Sequence, residues 1–284
     1  MKQAIFFIFA FVWTGLLLLP QSQAANCGGA TPCSCGDTLT SSQTMWYDLA
    51  CPGNGLIIGA NNITLDCNGY TIDGSRSETG IFIQGKQNVT VKNCDIMRFY
   101  RGIYLSYSSN NTISGNTANS NSFDGISLYR SSSNTLSGNT ANSNYYGIDL
   151  LYYSLYNLLT NNTVSSNYGG ISLLAYSNSN TLTNNTATSN SYSGISLGYY
   201  SNSNTLTNNN ASSNSGSGIT LGSTSSSTTL TNNTATSNSQ YGIELYSSSF
   251  NTLSGNTANS NSFDGINLFR SSSNTLSGNT ANSN

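Results

Sequence analysis

The chain has 284 residues, of which only 6% are charged, with eight basic and ten acidic residues, no histidine and a formal net charge of −2. Such a surface is solvated by hydroxyl and amide groups, and its scattered lysines and arginines exclude nucleic acid as a partner, because a nucleic-acid-binding face needs them clustered. The abundance of serine and asparagine also fits a disordered linker. The regular spacing of the apolar residues argues against that alternative.

Residues 1–24 predict a signal peptide. Lys2 supplies the basic start, an apolar run extends from Ile5 to Leu19, and small residues end the segment at Ala24, as at a cleavage site. The alternative is a membrane anchor, but the run is short for a span of about 20 residues, and no second apolar run follows. We therefore expect a soluble protein that is secreted, or periplasmic in a diderm bacterium, with no membrane span after cleavage.

All six cysteines lie near the start of the chain: Cys27, Cys33, Cys35, Cys51, Cys67 and Cys94. An even number in an exported protein predicts three disulfides, although the sequence leaves all fifteen pairings open. The alternative is a metal site built on Cys33 and Cys35, which the missing histidines and the oxidising compartment make less favourable. We expect residues 25–54 to form a disulfide-rich cap, because the first coil of a solenoid has no neighbour below it.

A short motif, Gly-Ile-x-Leu, recurs every 22 to 24 residues through the rest of the chain. Its eight copies begin at Gly102, Gly125, Gly147, Gly170, Gly194, Gly218, Gly242 and Gly265. Less regular strands precede them, at 55–57, 62–67, 70–74, 80–83 and 88–94. A repeat of this length cannot bury its own apolar face, so the copies must stack into a solenoid.

One coil, residues 125–144, shows what the repeat folds into. Ile126 and Leu128 alternate with polar Ser127, the pattern of a strand with one buried face. Leu136 and Ala141 then mark two further short strands, each reached through a turn. The sequence therefore predicts an all-β fold, a single-stranded right-handed parallel β-helix over residues 55–284. We expect about ten coils with three short strands each, spaced by about 4.8 Å.

Asparagine recurs in three columns at the turns, where stacked amides can hydrogen-bond from coil to coil and asparagine tolerates a left-handed backbone. The first column holds Asn116, Asn139, Asn162, Asn185, Asn209, Asn233, Asn256 and Asn279. The second holds Asn121, Asn144, Asn167, Asn190, Asn214, Asn238, Asn261 and Asn284. The third runs from Asn111 to Asn274 and is interrupted by Thr228.

The sequence ends at Asn284, in the middle of a coil and without a capping segment. Residues 108–144 and 248–284 differ at only four positions, which indicates a recent duplication. We therefore expect that this chain is a truncated reading of a longer solenoid.

Three sets of residues resemble the NosD-like type of right-handed parallel β-helix protein. They are the run Cys33–Asp37, the run Leu65–Gly69 and the repeated Asn-Thr-x-Ser-Gly-Asn and Gly-Ile-x-Leu coils. That group shares the pectin-lyase-like fold and is often described as carbohydrate-binding and sugar-hydrolase domains, so the resemblance implies polysaccharide as the partner. It also implies an association with copper enzymes, but the chain has no histidine and three methionines, and its cysteines are expected to be paired. We expect no metal and no cofactor.

The few charged residues of the repeats offer one possible catalytic set. Arg101 and Asp124 occupy the position before the motif glycine in adjacent coils and should form an ion pair. Together with Arg130 and Asp149 they fall on three consecutive coils. Paired-carboxylate hydrolysis needs two acids at a matched separation, and these acids occupy different positions of their coils. Surface charges and one salt bridge are therefore the favoured interpretation.

Aromatic residues form the stronger candidate site. The first aromatic column stands two residues before the motif glycine and holds Tyr100, Phe123, Tyr145, Tyr168 and Tyr192. Another set follows the same strand: Tyr107, Tyr129, Tyr152, Tyr153, Tyr176, Tyr199, Tyr200, Tyr246 and Phe269. Aromatic rings in a row can stack on sugar faces, or simply on one another to stabilise the coils.

The leading prediction is a secreted or cell-surface β-helix that binds polysaccharide or serves as a scaffold, without catalysis. The alternative is a polysaccharide lyase or glycoside hydrolase of the pectin-lyase-like class. An enzyme needs a convergent set of acid and base groups, and the sequence shows no compelling set.

Overall fold

The protein is a right-handed parallel β-helix of about ten coils in this computed structural model, which describes residues 25–284. The predicted signal peptide, residues 1–24, lies outside the described residues. No helix in the described chain is long and apolar enough to cross a membrane. The predicted fold class is confirmed.

Sheet 1 has twelve parallel strands and contains the Gly-Ile-x-Leu motif. Its strands are Asn26–Cys27, Thr38–Leu39, Leu56–Ile58, Thr79–Gln84, Arg101–Ser106, Asp124–Tyr129, Tyr146–Leu151, Gly169–Leu174, Ile195–Leu197, Ile219–Leu221, Ile243–Tyr246 and Ile266–Phe269. The pairing is in register, with Ile126 opposite Ile148 and Leu128 opposite Leu150. Identical apolar side chains therefore stack along the axis and form the core.

Sheet 2 has eleven parallel strands. They are Gln43–Thr44, Thr64–Asp66, Thr90–Lys92, Thr112–Ser114, Thr135–Ser137, Leu158–Thr160, Thr181–Thr183, Thr205–Thr207, Thr229–Thr231, Thr252–Ser254 and Thr275–Ser277. Each three-residue strand carries one buried residue between two that face outward, except in the last coil, where all three are exposed.

The third strand of the coil is the least regular. Four strands, Leu49–Ala50, Thr71–Asp73, Asp95–Met97 and Thr117–Asn119, form one sheet, and Thr163–Ser165 pairs with Thr186–Thr188. In the other coils it shrinks to a single bridge, for example at Thr140 and Thr234. The backbone ladder persists there, since Thr140 N still donates to Asn116 O at 2.8 Å. The prediction of three strands per coil therefore holds fully only in part of the helix.

The motif requires glycine because neighbouring backbone and side-chain atoms fill the space that a side chain at this position would occupy. A Cβ atom at Gly125 would lie 2.7 Å from Gly147 O and 2.8 Å from the Cβ of Ala141. Any larger residue would push the third strand outward, which explains why glycine precedes isoleucine in each copy.

The asparagine columns form the predicted hydrogen-bond ladders. Asn139 Nδ2 donates to Asn162 Oδ1 at 2.9 Å and to Ile113 O at 2.8 Å. Asn139 Oδ1 in turn accepts from both the backbone N and Nδ2 of Asn116, each at 3.0 Å. All four hydrogen-bonding positions of this buried amide are thus satisfied, which is the condition for burying it without a penalty.

The left-handed backbone falls on a different residue than expected. The ladder asparagines of the first column do not have positive φ; the residue before each of them does, as at Gly138 (φ 62°) and Asn161 (φ 56°). A column of buried serines, unnoticed in the sequence, completes the turns: Ser131 N donates to Ser154 Oγ at 3.2 Å, and Ser108 N to Ser131 Oγ at 3.0 Å.

All six cysteines are paired, as predicted, in the bonds Cys27–Cys33, Cys35–Cys51 and Cys67–Cys94. Two bonds lie within the predicted cap of residues 25–54. Strands of that segment pair directly with the following coil, for example Thr38–Leu39 with Ile57 and Ile58. The third bond joins two successive coils.

Candidate functional site

The outer face of sheet 1 carries the sequence-predicted candidates. Its central row, aligned by the strand register, contains Tyr104, Ser127, Asp149, Ser172, Ser196, Thr220, Glu244 and Asn267. Aromatic residues flank this row at both ends of the strands. Because the longest strands have six residues that rise about 3.3 Å each, the flanking residues bound a face roughly 20 Å wide.

The first aromatic column is stacked ring on ring. Neighbouring ring centroids along Tyr100, Phe123, Tyr145, Tyr168 and Tyr192 lie 5.2, 5.3, 4.7 and 5.7 Å apart, with ring planes within 9° of parallel. The rings therefore cover each other's faces and present their edges to solvent, as the self-stacking alternative expects. Carbohydrate binding by this column stays a prediction.

One ring face at the end of this column is open. Tyr192 is 49% exposed, and the residue that stacks above it in the next coil is Gly216, whose N donates to Tyr192 O at 3.1 Å. Glycine has no side chain to cover the ring. The Tyr192 ring can therefore accept the apolar face of a ligand from the side of Gly216.

A second aromatic column lies at the opposite end of the strands. It comprises Tyr153, Tyr176 and Tyr200, whose ring centroids are 5.0 and 5.3 Å apart, with planes within 8° of parallel. Beside it is a groove of about 360 Å³, called the tyrosine groove below. The groove is lined by Leu151, Tyr152, Leu174, Ala175, Tyr176, Tyr199 and Tyr200.

The sequence did not predict the tyrosine groove as a site, although its four tyrosines belong to the aromatic set that follows the strand. The signal was present in the paired tyrosines 152–153 and 199–200, which occupy matching positions of their coils. Both members of each pair have left-handed backbone, with φ of 49° and 63° in the first pair and 53° and 64° in the second. Consecutive left-handed residues splay their side chains to different sides, which opens the groove, and no simple sequence pattern announces this.

Arg101 and Asp124 form the predicted ion pair, with Arg101 Nε 3.0 Å from Asp124 Oδ2. The expectation of surface charges is wrong, however. Asp124 is 0% exposed and Asp149 is 2% exposed, although both face outward from the sheet. The Arg101 guanidinium lies 4.9–5.2 Å from the ring centroids of Tyr100, Tyr104 and Phe123 and helps to cover this end of the face.

Tyr146 joins the buried carboxyl pair, Asp124 and Asp149, and sequence reasoning missed it. It takes the same position before the motif glycine as Arg101 and Asp124, and its ring lies over Gly169. A Cβ atom at Gly169 would sit 2.6 Å from the Tyr146 ring, so glycine makes room for the phenol. Arg130 does not join the pair, because its guanidinium stacks 5.6 Å from the rings of Tyr107 and Tyr129.

The pair is electrostatically strained. Burial raises the pKa of Asp124 to about 6, although the Arg101 guanidinium acts in the opposite direction. Burial and the neighbouring Asp124 carboxylate raise the pKa of Asp149 well above its ordinary value. Burial, together with Asp149, also raises the pKa of Tyr146 to about 12. One oxygen of each carboxyl, Oδ1, has no hydrogen-bond partner among residues 25–284. The two acids can therefore hold a proton near neutral pH.

The repeated acidic motif in the last coil is built differently. Asp264 accepts a hydrogen bond from Asn267 Nδ2 at 2.7 Å, and Arg270 lies over the Phe269 ring at 5.2 Å. Glu244, whose pKa burial raises, accepts from Ser217 Oγ at 3.2 Å. These groups do not reproduce the buried carboxyl pair.

Two family models match the chain. One is described as "Periplasmic copper-binding protein (NosD)" and matches residues 36–193; the other is described as "Right handed beta helix region" and matches residues 150–281. No curated protein sequence matches the chain.

Several solved structures share the fold. The A-module of the Azotobacter vinelandii mannuronan C-5 epimerase AlgE4 superposes with a TM-score of 0.66 at 17% identity, over 87% of this chain and 76% of that one. The periplasmic alginate epimerase AlgG gives 0.68 at 16% identity, over 82% and 70%. An endo-xylogalacturonan hydrolase from Aspergillus tubingensis gives 0.64 at 12% identity, over 87% and 85%. At these identities the likeness establishes the fold alone.

Proposed function

The chain belongs to the family described as periplasmic copper-binding protein (NosD), whose model matches more than half of its residues, and we propose that it is an exported, non-catalytic polysaccharide-binding protein. Export is supported by the sequence of residues 1–24, by the three disulfides and by the family's periplasmic description. The observation that carries the binding proposal is the outer face of sheet 1, where aromatic rings flank a row in which four of eight residues are serine or threonine.

Copper does not fit the residues of this chain. Protein copper sites use imidazole, thiolate or thioether ligands, and the sequence contains no histidine. All six cysteines are consumed in disulfides. Residues 25–284 contain no cluster of three or more histidine, cysteine or acidic residues that could hold a metal ion. Met97 ends the strand Asp95–Met97, whereas Met45 follows the strand Gln43–Thr44 of sheet 2. We derive no function from the metal.

A polysaccharide fits this face chemically. The apolar side of a sugar ring stacks on an aromatic face, and tyrosine hydroxyls can exchange hydrogen bonds with sugar hydroxyls. The open ring of Tyr192 and the tyrosine groove supply aromatic faces for stacking, and the half-buried Ser196 and Thr220 of the central row supply hydroxyl groups. Three structures with this fold are named for enzymes of polysaccharides, which agrees with a long ligand lying along such a solenoid.

Affinity electrophoresis tests the proposal. The mature protein should be retarded in gels that contain one of a panel of polysaccharides, and Tyr192→Ala or Tyr168→Ala should reduce the retardation. Phe250→Ala is the matched control, because this residue is exposed but lies in the turn between sheets 1 and 2. Migration unchanged by every polymer would contradict the proposal.

The alternative function is cleavage of a polysaccharide. Glycoside hydrolysis needs one protonated and one ionised carboxyl in contact with the sugar; Asp124 and Asp149 are 0% and 2% exposed, so they would act only if the side chains that cover them moved on binding. Assays of reducing ends and of unsaturated products would detect hydrolysis and elimination respectively. Activity that Asp149→Asn abolishes, with binding intact, would establish the enzyme.

A further inference from the structure

The central coils of the protein carry no charge. Between Asp149 and Glu244 the sequence contains no aspartate, glutamate, lysine, arginine or histidine. This stretch includes every residue that lines the tyrosine groove. The charge distribution along the solenoid therefore separates a charged N-terminal part from an uncharged binding surface.

We propose that the tyrosine groove is a subsite for a neutral glycan, a chain of sugar units without carboxylate or sulfate groups. This inference rests on the proposed polysaccharide-binding function and specifies its ligand class. It places the contact at the second aromatic column, with Tyr199 and Tyr200 as the main contact residues.

The geometry of the groove suits a sugar ring. The lining combines the half-buried apolar side chains of Leu151, Leu174 and Ala175 with exposed tyrosines, which carry both ring faces and hydroxyl groups. The volume of about 360 Å³ lies in the range of small-molecule sites. The second column ends at Tyr200, because the matching position of the next coil holds the smaller Thr224, and Tyr200 is 49% exposed. Its upper ring face is thus free to stack.

The backbone at the groove is the left-handed turn of the repeat, which Ser223 and Thr224 share in the next coil with φ of 49° and 64°. Three pairs of adjacent residues have φ between 49° and 64°: Tyr152 and Tyr153, Ala175 and Tyr176, and Tyr199 and Tyr200. Non-glycine residues in this region cost roughly 1–2 kcal/mol each. Stacking within the second column offsets part of that cost, but Tyr199 makes no ring–ring contact within the described chain. Its ring is 61% exposed and is free to contact a ligand.

The missing charges determine the ligand class. A polyuronate carries one negative charge per sugar unit, and its binding requires cations to replace the lost hydration. The nearest basic residue, Arg130, lies one coil below Tyr152, and its guanidinium is turned toward Tyr107, whose hydroxyl accepts from Arg130 Nη1 at 3.2 Å. The groove itself thus offers hydroxyls and ring faces, which match neutral sugars. This contrasts with the alginate named in the structures that share the fold.

A matched pair of polymers tests the inference: polygalacturonate and the same polymer after reduction of its carboxyl groups, alongside a panel of neutral glucans, xylans and mannans. We expect retardation by at least one neutral polymer and none by polygalacturonate. Binding should be unchanged between 0.05 and 0.5 M NaCl, since no ion pair contributes to it. Salt in this range screens exposed charges, with a Debye length of about 10 Å at 0.1 M, and would weaken a contact that depended on them.

Variants of the groove locate the site. Tyr199→Ala should weaken neutral-glycan binding about tenfold, the effect of losing one stacked ring, and it removes no ring stacking from the fold. Tyr200→Phe, which preserves the column, should weaken binding less than Tyr200→Ala. Arg130→Gln should leave binding unchanged, and circular dichroism with thermal unfolding would confirm that each variant is folded.

Three outcomes would overturn the inference. Polygalacturonate binding that fails in salt and in Arg130→Gln would replace the neutral ligand with an anionic one and leave the proposed function standing. Neutral-glycan binding that is lost in Tyr192→Ala but not in Tyr199→Ala would move the site to the first aromatic column. Failure to bind any polymer would overturn the proposed function together with the inference.

Discussion

Asp124 is completely buried beneath the outer face of sheet 1, and its ion-pair partner Arg101, one coil below, retains 24% of its side-chain exposure. The arginine therefore supplies the charge that compensates a carboxylate without access to water. Removing one partner of such a pair leaves an uncompensated charge, which is far more costly than removing both.

Arg101→Gln should lower the free energy of unfolding at pH 7 by about 3 kcal/mol, the lower end for breaking a buried pair, because Arg101 is partly exposed. The loss should be smaller at pH 4.5, where Asp124 is protonated and needs no partner. Urea unfolding at both pH values measures this. The double variant Arg101→Gln/Asp124→Asn should recover most of the loss, and equal destabilisation at the two pH values would contradict the ion pair.

The buried carboxyl pair should make the protein more stable in mild acid than at neutral pH. Burial raises the pKa of Asp124 to about 6 from an ordinary value of 3.8, and raises that of Asp149 well above 3.8. The folded state thus keeps protons that the unfolded state releases. Their stabilising contribution is complete below about pH 4 and is lost as the pH rises through the folded-state values. Burial also raises the pKa values of Asp95 and Glu244, so these two carboxyl groups change the stability in the same direction.

Thermal unfolding from pH 4 to pH 8 checks this dependence, and we expect the Tm to fall across the range. Asp149→Asn should raise the Tm at pH 8 and flatten the profile, because the amide has no charge to bury beside Tyr146 and Asp124. Glu78→Gln is a matched control on a carboxyl outside the pair. If the Tm falls with pH at the same slope in Asp149→Asn and in the parent protein, Asp149 does not cause the pH dependence and the prediction is wrong.

The sequence predicted the fold because its determinants repeat. Ile126 and Leu128 have counterparts in eight consecutive coils, spaced by 22 to 24 residues, and this repetition predicts parallel, in-register stacking. The amide ladders were predictable for the same reason, since Asn139 and its counterparts occupy one position. The interruption at Thr228 was visible as a break in the column.

The candidate site was less predictable because it depends on residues that do not repeat. The burial of Asp149 follows from its neighbours in adjacent coils, including the ring of Tyr146, which only Gly169 can accommodate. The tyrosine groove depends on left-handed backbone at Tyr152 and Tyr199, which bulky residues rarely adopt. Neither contact is encoded in the spacing of apolar residues. The disulfide pairing could not be predicted from the sequence either, because it depends on which cysteines the coils bring together.

The disulfide between Cys67 and Cys94 should stabilise the protein more than the one between Cys27 and Cys33. The first closes a loop with a sequence separation of 27 and the second one of 6. Loop-closure entropy in the unfolded chain gives about 3.5 and 2 kcal/mol respectively. Paired Cys→Ser variants, compared by urea unfolding, check the order. A larger loss for the Cys27–Cys33 variant would show that local packing outweighs chain entropy.

Thr228→Asn should stabilise the protein by restoring the third asparagine column. In the intact part of that column, Asn134 N and Nδ2 both donate to Asn157 Oδ1, at 2.9 and 3.1 Å. Asn204 Nδ2 keeps the usual bond to a carbonyl of the coil below, Ser177 O, but Thr228 has no amide oxygen, so it donates to Ser201 O instead.

An asparagine at 228 would accept from Asn204 N and donate to Asn251 Oδ1, which already accepts from Thr228 N at 2.8 Å. Two added hydrogen bonds contribute about 1–2 kcal/mol, equivalent to a rise of a few degrees in Tm for a domain of this size. The opposite change in the intact column, Asn157→Thr, is the matched control and should destabilise by at least as much, because it leaves Asn134 donors unpaired in a buried turn. Differential scanning calorimetry of both variants measures the effect. A lower Tm for Thr228→Asn would mean that the threonine methyl group fills space that the amide cannot, and that packing rather than hydrogen bonding determines the residue at this position.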